Sequence, residues 1–269
     1  MAKITPLSIK NFYDKLQFFP EYWKGLKPLN DVDSTSEKDW LVRVQMLDKL
    51  SAQNSVAIFL WNAFSNQFIY MSDSLRVFGG YDPERYTQKD GVDYSVSLIH
   101  PTHLKGVLQL YEMALSYGQK NHLTPLDKVV LSLNYLYKDN TGKYLQTLQQ
   151  CIVVEADLNL QPRLVLSFVH NISHIKKEQS IGLVISSPMT TKIFYYDLTT
   201  DKIIERKPFS TQELRVLRYL GQGLDTKQIA TLLNISPNTV DTHRRNLINK
   251  TDCLDTTAVV SYAKLINIV

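Results

Sequence analysis

Thr242, Arg245 and Asn249 recur at i, i+3 and i+7, and Asp241 stands one turn before Arg245. On a helix this spacing gathers a hydroxyl, a guanidinium, an amide and a carboxylate on one side. Groups of these types can hydrogen-bond base edges in the major groove of DNA. Val240, Leu247 and Ile248 supply an apolar stripe for the inner side of the same helix.

That face needs a scaffold in front of it, and residues 226–235, TKQIATLLNI, read as one. Ile229, Leu232 and Leu233 recur at helical intervals. Ala230 is small enough for a second helix to cross closely. Asn234 follows four residues later, where the turn needs a left-handed backbone, and Asn tolerates that conformation best after glycine. Ile235 is expected to tuck back under the turn. Ser236 is a strong N-cap, and Pro237 fits the first helical position because its missing N–H has no partner there anyway. The spacing therefore predicts a helix, a tight turn and a second helix whose outer face can enter a major groove.

Charge supports this location. The formal net charge is +4. Residues 206–269 hold nine Lys or Arg against five Asp or Glu, whereas residues 1–205 hold 21 of each. The whole excess thus lies on the segment expected to approach phosphate.

At these residues the chain resembles the LuxR-type (FixJ/NarL-type) DNA-binding domain, from Phe209 to about Ala263. The matching segments are FSTQELRVL, GLDTKQIATLLNISPNTVDTH and NLINKT. The resemblance implies four helices, placed at about 210–221, 226–233, 237–250 and 255–265. It implies that Asp241, Thr242 and Arg245 face bases, and that Lys227, Asn238, Thr239, Arg244 and Lys250 touch phosphate. It also implies dimerisation through the last helix, where Val259, Val260, Tyr262 and Ala263 offer an apolar surface. The chain departs from the family pattern at three positions: Asp241 replaces a frequent Lys, Thr251 a Leu and Thr256 an Arg. A carboxylate at 241 repels phosphate. It could accept from cytosine N4, or it could complement the helix dipole, and a target sequence cannot be borrowed from relatives.

The first two hundred residues must then supply control. Residues 1–48 read as a helical, aromatic-rich leader, with Ser34 and Glu37 spaced for a capping box on a helix beginning near 35. From about 52 the order is two strand runs, short helices, then three strand runs separated by turn signals at 139–142 and 157–159. This pattern predicts an α+β domain of antiparallel strands with helices. The pieces IYMSDSLRVFGGYDPE, SLIHPTHL, YKDNTGKYLQTLQQCIVVEADLNLQP and FVHNISHIKKE resemble, in order, the landmarks of a PAS domain over residues 52–178. That family implies a sensory or dimerising module, often with a small cavity. Phe59, Trp61, Phe68, Tyr70 and Phe78 could line such a cavity or simply fill a core.

Cofactor chemistry is not indicated. Cys151 falls in a strand run, away from the helical cysteine of light-sensing flavin relatives. His100 and His103 could in principle ligate haem, but His100 occupies the family's Ile-His-Pro position, usually a helix start. The pair lacks further ligands at zinc spacing. No phosphate-binding glycine loop, nucleophile elbow or kinase pattern is present, and no receiver domain is recognisable, so an enzyme is not expected. The two cysteines suggest no disulfide framework, and the sequence shows no signal peptide or membrane-spanning run, which points to the cytoplasm.

The expected organisation is a leader (1–48), a PAS-like sensor domain (49–178), a connector with a β-hairpin (179–207) and a LuxR-type domain (208–269). The sequence reads as a transcriptional regulator that binds double-stranded DNA, pairs as a homodimer, senses a signal or a partner through the PAS-like domain, with a small organic ligand or none at all in it, and carries no metal or other cofactor. The alternative is a protein-interaction module that uses the helix-turn-helix scaffold without specific DNA binding. Asp241 and the low net charge favour that alternative.

Overall fold

The computed structural model describes residues 34–51, 56–121, 123, 128–157, 161–176, 181–206, 209–266 and 268. The part of the leader before residue 34 lies outside the described residues. Helix α1, Ser34–Ser51, comes first, and Glu37 Oε2 accepts from Asn62 Nδ2 over 3.1 Å. The Ser34 side chain, expected to cap this helix, lies outside the described residues.

Strands β1 (Ala57–Asn62) and β2 (Gln67–Met71) form a hairpin. Three short helices follow, α2 (Leu75–Phe78), α3 (Pro83–Tyr86) and α4 (Gly91–Ser97), and then the long α5 (Pro101–Lys120). Pro83 and Pro101 each occupy the first turn of their helix, where no intrahelical donor is lost. Strands β3 (Val130–Lys138), β4 (Tyr144–Ala156) and β5 (Pro162–Asn171) come next. The turn between β3 and β4 is closed by Asp139 Oδ1, which accepts from the backbone of Thr141 and Lys143, each over 2.9 Å. The order of two strands, short helices and three strands is the one expected from the sequence.

Residues 179–207, read as a connector, continue the same sheet with β6 (Gly182–Ser186), β7 (Thr191–Asp197) and β8 (Lys202–Arg206). β7 and β8 form the hairpin, with Asp201 in the left-handed region at φ 56°. All eight strands are antiparallel to their neighbours, in the order β2-β1-β5-β4-β3-β6-β7-β8.

Because side chains alternate across a strand, this sheet serves three cores. On one face, Phe59, Leu133, Tyr135, Leu183 and Phe194 pack with α2 to α5. On the other face, the β1–β5 end meets α1 through Ile58, Leu60, Leu164 and Leu166, which surround Val44. The remainder of that face, including Leu148, Val184, Ile193 and Tyr195, shares one core with the C-terminal helices. Those helices are α6 (Thr211–Gly221), α7 (Thr226–Leu233), α8 (Pro237–Thr251) and α9 (Thr256–Leu265). Their bounds follow the four helices expected from the sequence, and the fold is α+β with an all-α C-terminal part.

Tyr70 departs from the expected pocket. The pairing of β1 with β2 slips between Leu60 and Trp61, so that Leu60 faces Tyr70 and Trp61 faces Phe68. The extra residue on β2 reverses the alternation. Tyr70 is thereby packed with the α1 cluster, and its hydroxyl donates to Asp48 Oδ2 over 2.7 Å.

Candidate nucleic-acid interface

Helix α7 opens on a capping box. Asp225 accepts from Gln228 N, and the Gln228 side chain accepts from Asp225 N, over 2.8 and 2.9 Å. It ends at Asn234, which is left-handed at φ 53° and ψ 50°, and Ile235 N donates back to Ala230 O over 3.0 Å. Ser236 Oγ then accepts from Thr239 N over 3.1 Å, and Pro237 takes the first position of α8. Ile229, Ala230, Leu233, Val240 and Leu247 are buried between the helices. The turn and the crossing are built by the residues whose chemistry predicted them.

On the outer side of α8, Asn238, Thr239, Asp241, Thr242, Arg245 and Asn249 are all exposed, as is Lys227 on α7. The row is polar and continuous. Arg245 Nη2 donates to Thr242 Oγ1 over 3.3 Å, a weak contact on an exposed surface that holds the guanidinium over the face.

Asp241 is the fifth residue of α8 and therefore lies past the first turn, where the helix dipole is felt most. Its Oδ1 accepts from Thr226 Oγ1 over 3.2 Å and lies 3.7 Å from Arg244 Nη1. Arg244, half-buried, donates to Thr226 Oγ1 over 2.7 Å and to Thr256 Oγ1 over 3.3 Å. One guanidinium thus ties the starts of α7 and α9 to the middle of α8. Two residues that depart from the family pattern, Asp241 and Thr256, belong to the same network.

Lys250 is also engaged. Its Nζ lies 2.7 Å from Glu213 Oε2, and Glu213 closes a capping box on α6 with Ser210. Burial alone would raise the Glu213 carboxyl. The Lys250 ammonium and the Ser210 backbone outweigh it and hold the carboxyl below its usual range. Of the proposed phosphate-contacting residues, Lys227, Asn238 and Thr239 stand on the open surface, while Arg244 and Lys250 are half-buried in these pairings. The Ser210–Glu213 spacing was a readable signal for the capping box. Nothing in the sequence pointed to Thr226 as a hub.

Helix α9 buries Val259, Tyr262 and Ala263, with Val260 half-buried against the same core. In this arrangement the residues read as a dimerisation surface are spent largely on packing within the chain.

The sheet domain holds a cavity of about 280 Å³, bordered by Phe59, Trp61, Phe68 and Phe78 from the expected set and by Tyr111, Tyr135, Gln149, Cys151 and Ser167. No charged side chain borders it among the described residues. Trp61 Nε1 is buried without a hydrogen-bond partner among the described residues. His100 and His103 are not among its lining residues and serve the backbone. His100 Nδ1 caps α5 by accepting from Thr102 N, and His103 Nδ1 accepts from Leu136 N, each over 3.2 Å. Burial first, and the neighbouring His100 second, push His103 down to about 4. Among the described residues, no group of three His, Cys, Asp or Glu side chains could hold a metal ion, and no helix is long and apolar enough to cross a membrane.

Comparison with known proteins agrees with the C-terminal geometry. The nitrate/nitrite response regulator NarP of Escherichia coli K12 is 55% identical over 49 residues, which cover 17% of this chain and 23% of that protein. The chain spans under a third of the length of the curated relatives it matches. Among solved structures, the PAS/PAC-sensor domain of a Marinobacter aquaeolei diguanylate cyclase is 16% identical with a TM-score of 0.32, over 44% of this chain and 95% of that one. The Vibrio cholerae VqmA dimer, described as a LuxR-type receptor, is 14% identical with a TM-score of 0.27, over 83% of this chain and 86% of that one. Residues 207–263 match the family described as GerE, bacterial regulatory proteins, luxR family, so the chain carries a luxR-family helix-turn-helix domain at this end.

Proposed function

We propose that the protein is a transcriptional regulator that reads duplex DNA through α8 and takes its input in the sheet domain. The observation that carries this reading is the open polar face of α8, where Asp241, Thr242, Arg245 and Asn249 stand clear of every core. Arg245 is the base reader, since its guanidinium has only a weak intrahelical contact to give up. Asp241 acts through Arg244, setting the crossing angle of α7 and α8, and receives base contacts only at its exposed edge. Lys227, Asn238 and Thr239 meet phosphate, and Arg244 and Lys250 contribute charge from behind.

The input is a small, uncharged molecule. The uncharged, aromatic lining of the cavity supports this. The working form on DNA is a homodimer paired through α9, a reading that rests on the family likeness; of the four residues expected to pair, only the half-buried Val260 keeps surface outside the chain's own core. The setting is the cytoplasm, where both buried cysteines remain free thiols. The family is one of transcriptional regulators, and the site carries no catalytic role.

A titration of the full chain against duplex DNA at several salt concentrations tests the proposal. Binding that weakens linearly on a log–log salt plot supports it. Absence of binding, or affinity independent of salt, would instead favour a protein-interaction module. Native mass spectrometry of the freshly purified chain tests the input, since a bound small molecule adds its mass to the folded protein alone.

A further inference from the structure

The last carbonyls of an α-helix have no partner inside the helix. In α8 they are met from outside its domain. Arg206, at the end of β8, donates to Asn249 O over 2.9 Å, and the Tyr195 hydroxyl on β7 donates to Lys250 O over 3.0 Å. Lys176, just beyond β5, donates through Nζ to Thr251 O. Helix α9 is held in the same way, with Gln150 Nε2 on β4 donating to Leu265 O over 2.8 Å. A backbone pair completes the contact. Leu254 N donates to Ile175 O over 3.0 Å, beside an antiparallel bridge between Lys176 and Cys253.

Two features make this contact releasable. Lys176 is 1% exposed, and its Nζ lies 4.0 Å from the ring centroid of Tyr262 and 5.6 Å from that of Tyr195. Burying an ammonium costs free energy, and burial brings this one down to about 8. The donor that closes the contact therefore also weakens it. The second feature is the position of Gln150. Its neighbours Gln149 and Cys151 border the cavity on the opposite face of the sheet. Alternate side chains share one backbone, so a shift of β4 that re-seats Gln149 and Cys151 also moves Gln150.

We propose that the sheet domain and the DNA-binding domain are joined by a releasable latch centred on Lys176, through which the cavity face of the sheet acts on the C-terminal end of the recognition helix. While the latch is closed, the end of α8 is fixed and Tyr262 is covered by the Lys176 ammonium. On release, α8 and α9 move as part of an independent unit. The coupling to the cavity rests on the small-molecule input proposed above, whereas the latch itself does not.

Hydrogen exchange on the full chain tests this, because the Leu254 amide reports the latch and the Val216 amide reports the interior of the DNA-binding domain. Lys176→Glu sets a carboxylate against Thr251 O and should speed Leu254 exchange by about tenfold or more with Val216 unchanged. Tyr195→Phe keeps the ring and removes the shorter of two donors to Lys250 O, the other being Arg206 Nη1 over 3.3 Å, so it serves even if the first variant does not fold. It should speed Leu254 exchange roughly threefold. Unchanged Leu254 exchange in Tyr195→Phe, or equal acceleration at Val216, overturns the latch. Cys151→Leu fills cavity space and should change Leu254 exchange by about twofold or more. A latch that answers to Tyr195→Phe but not to Cys151→Leu overturns the coupling to the cavity and leaves the latch itself standing.

Discussion

Lys250 Nζ and Glu213 Oε2 lie 2.7 Å apart, joining the end of the recognition helix to the first turn of α6. The carboxylate side of this pair is buried and also closes the α6 capping box. Lys250 is thus a stabilising residue, with the phosphate contact proposed for it coming second. Lys250→Ala should lower the stability of the DNA-binding domain by about 1–3 kcal/mol, because it leaves a buried carboxylate without its charge partner, served only by the Ser210 backbone. Chemical denaturation of the full chain, followed by a probe in the C-terminal domain, measures this. The loss of DNA affinity in the same variant should exceed what one phosphate contact explains.

The same pair predicts an acid dependence. The Glu213 carboxyl is held below its ordinary value of 4.5 in the folded chain. A depressed carboxyl contributes stability above the unfolded value and loses it as the pH falls through the folded one. Stability should therefore drop below about pH 4.5, where the unfolded chain begins to take up the proton first. In Lys250→Ala the largest lowering cause is gone while burial and the Ser210 hydrogen bonds remain, so this part of the acid dependence should shrink. Denaturation midpoints across an acid series, compared between the two chains, decide the point.

Arg244 and Arg245 are chain neighbours with different tasks. Arg244→Ala removes the donor to Thr226 and Thr256 and should cost about 1–2 kcal/mol of stability. Arg245→Ala disturbs only an exposed contact, and its stability should stay within about 0.5 kcal/mol of the unaltered chain. Thermal unfolding of the two variants side by side tests the contrast. Equal losses would mean that Arg245 has a structural role.

Asn234 sits in the left-handed region at φ 53° and ψ 50°, between α7 and Ser236. Asn234→Gly should be tolerated, and Asn234→Ala should cost roughly 1–2 kcal/mol because Cβ then crowds the following carbonyl. Denaturation midpoints of the pair check this, and an alanine variant as stable as the glycine one would contradict the turn geometry.

The C-terminal domain was legible because its signals are local. Ser236, Pro237 and Asn234 fix their own backbone within a few residues, and the helix they delimit runs from Pro237 to Thr251. The sheet was legible in its order for the same reason, through alternating runs and the turn at Asp139–Gly142. What escaped was set by long-range pairing. The irregular register that turns Tyr70 toward α1 depends on how β1 meets β2. The engagement of Arg244 by Thr226 and Thr256 depends on the crossing of three helices. Lys176, in a polar stretch of ordinary composition, gave no hint that it is buried between Tyr262 and Tyr195. The burial of Tyr262 and Val259 likewise follows from packing that an isolated helical stripe does not encode.

The most direct test of the central claim is selection of duplexes from a randomised pool by the full chain, followed by titration of the selected site with the unaltered chain and with Arg245→Ala. The account predicts a defined preferred site and salt-dependent binding. It also predicts a loss of about 1–3 kcal/mol in Arg245→Ala, confined to the preferred site and absent on scrambled DNA. A pool that yields no enriched sequence, or an Arg245→Ala chain that keeps full preference for the site, would contradict it.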